Sequence, residues 1–359
     1  MSLVQPLPPG PLDIVGDIHG EFAALQALLQ HLGYDAQGRH PQGRTLVFVG
    51  DFCDRGPDSP AVLALAQQLV EAGRAVAVLG NHEMNLLNGD AKDGSGWFFD
   101  ERVAHDQDKY APYARPTAPE RQAIVDWLAG LPIALERADL RVVHAVWLDE
   151  AIAAARAVPL GQAGPAYTRW ERSALEHGHS TGLAERVRAE LQACPQGLEQ
   201  EDCPPPFLHA YAQNEANKQM FNPLKVLTSG VERKAEQPFF TSGKWRFAAR
   251  VAWWNEYADP RAVVVGHYWR SARPMNRRDV GKGDADLFSA IDPLRWHGQR
   301  GNVFCVDYSV GGRWRERREP QRAPGDFRLA TLRWPERTLQ FDDGSVQPTL
   351  GFGQQERGA

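Results

Sequence analysis

The sequence predicts an α/β fold with a β-α-β-α-β core, and three observations carry that expectation. Short apolar, β-branched-rich runs stop at polar clusters, helical apolar stripes separate the first three runs, and glycine or proline marks the helix ends. The runs are Leu12 to Val15, Leu46 to Val49, Val76 to Leu79, Leu140 to Val143, Ala262 to Val265 and Val303 to Val306, each of strand length. Between the first two, Phe22, Leu25, Leu28, Leu29 and Leu32 recur at helical spacing, and Gly33 stands where a helix ends in the left-handed conformation. Between the second and third, Ser59 is placed to cap, Pro60 fits the first helical position, and Val62, Leu63, Ala66, Leu69 and Val70 form a stripe that Gly73 ends. Such alternation predicts parallel strands, helices on the sheet faces, and a ligand site beyond the strands' carboxyl ends.

A chain of 359 residues with 43% hydrophobic and 24% charged residues can bury a substantial core and is not disordered throughout. The expected arrangement is one catalytic domain over 1–359, its core at about 11–149 and 261–340, with 150–260 inserted. In the insertion, helical patches such as Ala184 to Ala193 are interrupted by the acidic, proline-rich stretch from Cys194 to Pro206, so it reads as a largely helical cap over the site. The formal net charge of -5 excludes a global attraction to nucleic acid or anionic membrane. Four cysteines are too few for a disulfide scaffold; Cys194 and Cys203 could pair across a loop, but reduced thiols are the simpler expectation. The N-terminus lacks a signal-peptide pattern and no run reaches membrane-spanning length, so a cytoplasmic location is expected. The excess of arginine over lysine and the abundance of alanine point to a GC-rich bacterial source. The basic segment from Arg313 to Arg322 reads as a solvated loop.

Chemistry-bearing residues gather where the strands stop. After the first run comes Gly16-Asp17-Ile18-His19-Gly20, a carboxylate and an imidazole two residues apart on a turn that glycine lets bend tightly. After the second comes Gly50-Asp51-Phe52-Cys53-Asp54-Arg55-Gly56-Pro57-Asp58, which adds an arginine that an ordinary strand-to-helix loop does not need. After the third comes Gly80-Asn81-His82-Glu83, and two later strands end at His144 and at Gly266-His267. One histidine after a strand is usually a hydrogen-bonded structural residue; five clusters, all at strand ends, argue otherwise. Together they offer carboxylate, imidazole and amide donors suited to manganese, iron, zinc, cobalt or nickel, with no thiolate required.

These motifs resemble the calcineurin-like metallophosphoesterase superfamily, most closely its phosphoprotein phosphatase branch of bacterial type, over residues 13–145 and again over 262–335. The resemblance implies a β-sandwich with the β-α-β-α-β core flanked by helices, and two divalent metal ions, manganese first among them, that activate a water to attack phosphorus. It implies that Asp17 and His19 hold one ion, that Asn81, His144 and His267 hold the other, and that Asp51 bridges them. It also implies that Arg55 grips the phosphoryl oxygens, that His82 protonates the departing oxygen, and that Asp54 orients His82; a simple Asp54–Arg55 pair is the alternative for that carboxylate. This sequence departs from the branch in two places. No second phosphate-binding arginine can be placed, Arg169, Arg172 and Arg233 being candidates only, and Val303 to Gly312 stands where relatives carry a different turn.

A phosphomonoesterase resembling Ser/Thr protein phosphatases is the preferred expectation, because Asp54 precedes Arg55 and Glu83 follows His82. A dinucleoside polyphosphate hydrolase of the diadenosine tetraphosphate type is the alternative, and an inactive phosphate-binding scaffold the alternative from another class. The expected partner is a phosphorylated substrate, either phosphoprotein or small phosphoester or nucleotide, with no nucleic acid or membrane. Tyr268, Trp269, Arg270, Arg273, Arg277 and Arg278 could form an aromatic and cationic rim, although packing beneath the insertion is preferred for the aromatics. His177 and His179 read as a helix terminus, and Trp253 and Trp254 as packing in the insertion.

Overall fold

The computed structural model describes residues 1–241, 243–273, 283–319 and 325–354. All six expected strands form, yet they divide between two sheets. Strands β2 (Leu12–Val15), β3 (Thr45–Phe48) and β4 (Ala75–Ala77) run parallel. Strands β6 (Leu140–Val143), β9 (Ala262–Val265) and β10 (Val303–Cys305) run parallel in the other sheet. Short strands with little apolar alternation complete each sheet. Strands β1 (Val4–Pro6) and β5 (Ala134–Glu136) give the order β1-β5-β6-β9-β10. Strands β11 (Ala330–Trp334), β12 (Thr338–Phe341) and β13 (Val346–Pro348) give β13-β12-β11-β2-β3-β4.

The alternation of each strand explains why two sheets form and not one. Leu12, Ile14, Val47, Val49, Leu140, Val142, Val264, Phe304 and Leu332 share one buried cluster between the sheets. The residues on the opposite faces, Val15, Leu46, Phe48, Val143, Val263 and Val265, belong to a second cluster with the helices. Each fully buried aliphatic side chain there contributes roughly 1.5–3 kcal/mol. Each sheet therefore has one face on its partner and one under helices, where the sequence pattern alone suggested helices on both faces.

Helix α1 (Phe22–Leu32) ends at Gly33 with φ 91°, as its spacing predicts. Helix α2 (Ser59–Glu71) corrects one detail: its cap is Asp58, whose side chain accepts from Ala61 N, and not Ser59. Ser59 is wholly buried, and its hydroxyl accepts from Asp54 N at 3.0 Å. Helices α3 (Asn81–Leu87), α4 (Val103–Tyr110) and α5 (Ala118–Ala129) follow before β5.

The 150–260 region holds helices α6 (Asp149–Arg156), α7 (Ala163–Ser180), α8 (Leu183–Gln192), α9 (His209–Met220) and α10 (Pro223–Ser229). It also holds an antiparallel hairpin of β7 (Glu232–Thr241) and β8 (Lys244–Arg250), which the largely helical expectation missed. The charged, proline-containing β7 has no strict alternation, and its register shifts between Lys234 and Phe239. His177 and His179 do lie in the last turn of α7, Trp253 and Trp254 are buried, and all four cysteines are free. The basic segment is no loop: helix α11 (Arg313–Arg318) forms there, with Arg313 bonded to Asp342 at 2.6 Å and Arg317 to Glu21 at 2.7 Å. Its end at 320–322 lies outside the described residues, as do Arg277 and Arg278. Among the described residues no helix is long and apolar enough to cross a membrane.

One ionic cluster ties β2 to its surroundings. Asp13, wholly buried on the helix-facing side of β2, accepts from Tyr34 Oη at 2.8 Å, Arg44 Nε at 2.9 Å and Arg333 Nε at 3.2 Å. Removing the carboxylate strands two guanidinium groups, although Arg44 keeps Glu336 at 2.8 Å. Asp13→Ala should therefore cost roughly 3 kcal/mol of stability, read from urea denaturation midpoints, with no change in metal content.

Candidate metal centre

The carboxyl ends of β2, β3, β4, β6 and β9 converge, and the six residues assigned to metals by the motif resemblance come together there. Asp51 is the hub. Its Oδ2 lies 3.3 Å from His144 Nε2, 3.8 Å from His19 Nε2 and 3.9 Å from His82 Nε2. Its Oδ1 accepts from His82 N at 3.1 Å. Asp17 lies 4.0 Å from His19 Nε2, and its carboxylate accepts from His267 N at 3.0 Å. His267 Nδ1 meets Asn81 Oδ1 at 2.8 Å.

The local backbone explains why glycine precedes the motifs that begin at Asn81 and His267. A Cβ on Gly80 would sit 2.2 Å from Asp51 Oδ1, and one on Gly266 would sit 2.0 Å from Asp17 Oδ1. The bare glycines thus make the room in which the two carboxylates approach neighbouring strand ends. Several candidate site residues adopt left-handed backbone: His19 at φ 48°, Asp51 at 52°, Asp54 at 73°, Arg55 at 69° and His267 at 72°. Such conformations cost of order 1–3 kcal/mol each and persist only where the surroundings impose them. Glu83 is one such constraint: its buried carboxylate accepts from Asp51 N and Phe52 N at 2.8 Å each and from Gly80 N at 2.9 Å.

The donor set fits cations. His19 Nδ1 donates to Cys53 O at 3.0 Å and His144 Nδ1 donates to Val49 O at 2.7 Å, which leaves each Nε2 on the Asp51 side of its ring, where a cation could take the place of a proton or of Arg55. Electrostatics agree. Burial pushes the Asp17 carboxyl up, with Asp307 adding to the effect. Burial opposes the His144 imidazolium, but the Asp51 carboxylate outweighs it and lifts that pKa to about 10. Burial would also raise Asp51, but His144 and His82 hold it well below the usual carboxylate range. Burial and then Arg55 depress His19. So crowded a set of acids and imidazoles is balanced either by protons or by divalent cations in their place. With their ligand atoms within 4.8 Å of one another, the groups form two overlapping sets, His19–Asp51–His82 and Asp51–His144–His267.

The predicted catalytic trio is adjacent. His82 Nδ1 donates to Asp54 Oδ2 at 2.5 Å, so the simple Asp54–Arg55 side-chain pair is not what forms. Arg55 instead donates from Nη1 to His19 Nε2 at 2.7 Å and from Nη2 to His82 Nε2 at 3.1 Å, while its guanidinium lies 5.0 Å from the Trp269 ring centroid. The His19 contact is the one that competes with a cation for a ligand atom, and it is made by the end of a long side chain.

Arg169, Arg172 and Arg233 do not line the cavity in front of this centre; Arg233 pairs with Glu256 on the surface. Arg246 and Arg250 on β8, Arg102, and Arg315 on α11 do line it. No sequence signal distinguished Arg246 and Arg250, because β8 itself was not foreseen, and Arg315 was noted only as part of a basic segment read as a solvated loop. Among the described residues of the expected rim, Tyr268 and Arg270 are buried, Arg273 is exposed and only the half-buried Trp269 lines the cavity. Asp307, which the sequence reading did not single out, accepts from Trp269 N and Ser309 N at 2.7 Å each and so braces the turn that carries His267. The cavity measures about 1290 Å³, and the β7–β8 hairpin forms its far wall through Phe239, Phe240, Trp245 and Arg246.

Strand-end donors converging on one carboxylate make a donor set suited to divalent cations. Residues 10–181, somewhat under half of the chain, match the family model described as calcineurin-like phosphoesterase. It is similar to an asymmetrical bis(5'-nucleosyl)-tetraphosphatase of Oceanobacillus iheyensis, 46% identical over 74 residues, which are 20% of this chain and 30% of that protein. It is also similar to a symmetrical bis(5'-nucleosyl)-tetraphosphatase of Ralstonia nicotianae, 35% identical over 138 residues, 38% of this chain and 41% of that one. The chain thus spans less than half the length of these relatives. A cold-active protein-tyrosine phosphatase of a psychrophilic Shewanella superposes with a TM-score of 0.47 at 16% identity, over 98% of this chain and 83% of that one.

The close approach at Gly266 is testable. Gly266→Ala should drive Asp17 from its seat, lowering metal content in plasma emission analysis and costing about 1–3 kcal/mol in a denaturant melt. Wild-type metal content in a folded variant would show that the contact is not needed.

Proposed function

We propose that the protein is a dinuclear-metal-dependent phosphoric ester hydrolase whose substrate is a small nucleotide-type phosphoester, a dinucleoside polyphosphate before a phosphoprotein. The observation that carries the hydrolase reading is the convergence of Asp17, His19, Asn81, His144 and His267 around Asp51. In this reading Asp17 and His19 hold one ion, Asn81, His144 and His267 hold the second, and Asp51 is shared. Divalent cations bound there, manganese first and iron, zinc, cobalt or nickel as alternatives, supply Lewis acidity to the phosphoryl oxygens and make water a nucleophile near neutral pH. Arg55 binds the phosphoryl oxygens with its planar fork, which requires it to exchange both its His19 and its His82 contact for the substrate. Once Arg55 has turned to the substrate, His82 as the imidazolium gives its Nε2 proton to the departing oxygen and keeps its Nδ1 proton on Asp54.

The substrate preference drawn from the sequence is reversed. It leaned partly on Glu83, yet Glu83 is occupied by three main-chain N–H groups and so serves the backbone whatever the substrate. The names of the relatives support the dinucleotide reading, as does a cavity of about 1290 Å³ walled on the far side by an aromatic hairpin. In this proposal 150–260 acts as the cap that sets specificity.

The manganese-loaded protein should hydrolyse diadenosine tetraphosphate with kcat/KM at least about tenfold above that for a phosphopeptide, a difference of about 1.4 kcal/mol in transition-state binding. Activity confined to phosphopeptides would restore the phosphatase reading, and failure to retain any metal would favour an inactive scaffold. Asp51→Asn should lower activity more than about 100-fold and weaken both metal sites together, as metal titration would show. Loss of activity with both sites at full occupancy would place Asp51 outside the cage.

A further inference from the structure

Asp54 is almost fully buried, and its two carboxylate oxygens have different partners. Oδ2 accepts from His82 Nδ1, and Oδ1 accepts from Trp97 Nε1, both at 2.5 Å. Trp97 is itself 1% exposed and packs against Phe98 with ring centroids 5.2 Å apart. A tryptophan retained only for its bulk could satisfy its single donor on any main-chain carbonyl. Here the donor goes to the carboxylate that faces His82.

The loop that carries Trp97 also holds the neighbouring residue. Gly94 O accepts from Arg55 N at 3.1 Å, and Gly94 and Gly96 donate their N–H groups to the buried Asp106 Oδ2 at 3.1 and 2.7 Å. Arg102 holds the other oxygen of Asp106 at 2.9 Å. Asp54 and Arg55 are consecutive left-handed residues at φ 73° and 69°, a conformation that needs outside support. The 94–97 loop grips one by its side chain and the other by its main chain. With Oδ1 tied to the indole, the Asp54 carboxylate cannot turn without breaking a buried charge-assisted hydrogen bond.

We infer that Trp97 is a positioning residue of the reaction: its indole N–H fixes the Asp54 carboxylate so that one chosen oxygen holds the His82 ring in line with the departing oxygen. The inference rests on the Asp54–His82 roles proposed above. It predicts that Trp97 acts only through Asp54 and matters most where the leaving oxygen most needs a proton.

The test uses the manganese-loaded full chain and aryl phosphates of graded leaving-group acidity. Trp97→Phe should lower kcat about tenfold on phenyl phosphate and less than about twofold on p-nitrophenyl phosphate, with KM unchanged. Asp54→Asn should lower kcat on phenyl phosphate about 100-fold, and adding Trp97→Phe to it should cost nothing further. Equal slowing of both substrates by Trp97→Phe, or a further loss on top of Asp54→Asn, would make Trp97 a packing residue only and overturn the inference. Should Trp97→Phe not fold, replacing Trp97 by its benzothiophene isostere keeps the shape and removes the N–H. That variant must show the same selective loss, and wild-type rates in it would overturn the inference. If Asp54→Asn alone leaves phenyl phosphate hydrolysis intact, the Asp54–His82 reading fails first, a result separable from a failure of Trp97 alone.

Discussion

The Glu83 carboxylate is the interaction on which the centre depends. It gathers the N–H groups of Asp51, Phe52 and Gly80 and so fastens the end of β3 to the end of β4 where α3 begins. Burial pushes its pKa up, with nearby Asp51 adding to the effect, so three donors are what an ionised carboxylate there requires. Once that link is made, Asp51 is held left-handed with Oδ1 on His82 N, and the first turn of α3 brings Asn81 and His82 to the same point. The hub, an amide donor and the proposed proton donor are all placed by one fully buried side chain.

Strain in the molecule follows the same map. Of the eight non-glycine residues with left-handed backbone among those described, His19, Asp51, Asp54, Arg55, His267 and Trp269 lie in or beside the strand-end motifs, and Ser309 and Arg337 lie outside them. Their neighbours answer with specific bonds: Cys53 O for His19, Ser59 Oγ for Asp54 N, Gly94 O for Arg55 N, and Asp307 for Trp269 N. A buried lattice of hydrogen bonds, not the intrinsic preference of the chain, determines where the donors stand.

Legibility in the sequence followed period and punctuation. The six core strands and α1 were readable because four-residue apolar runs and a glycine-ended stripe have one local solution, and the strand-end motifs were readable because their residue types have little other use together. The division into two sheets was not visible in those runs, since an apolar strand does not declare which sheet it joins. The β7–β8 hairpin escaped because Glu232 to Gln237 resembles a solvated helix or loop, and with it went Arg246 and Arg250. Trp97 and Asp106 were hidden for another reason: their partners are fixed by a loop whose path no periodicity records. Ser59 looked like a helix cap because the residue type is right there; one position earlier, Asp58 takes that task and Ser59 turns inward.

The six donors are shared unequally by the two layers, Asp17, His19, Asp51 and Asn81 lying at the tips of β2, β3 and β4, and His144 and His267 at the tips of β6 and β9. Cations held among them would act as rivets across the open end of the sandwich. Occupancy and unfolding are then thermodynamically linked, because an ion that binds only the assembled layers stabilises them by RT ln(1 + [L]/Kd). Metal supply would set the durability of the fold as well as its chemistry, and a chelator would act as a mild denaturant of this chain.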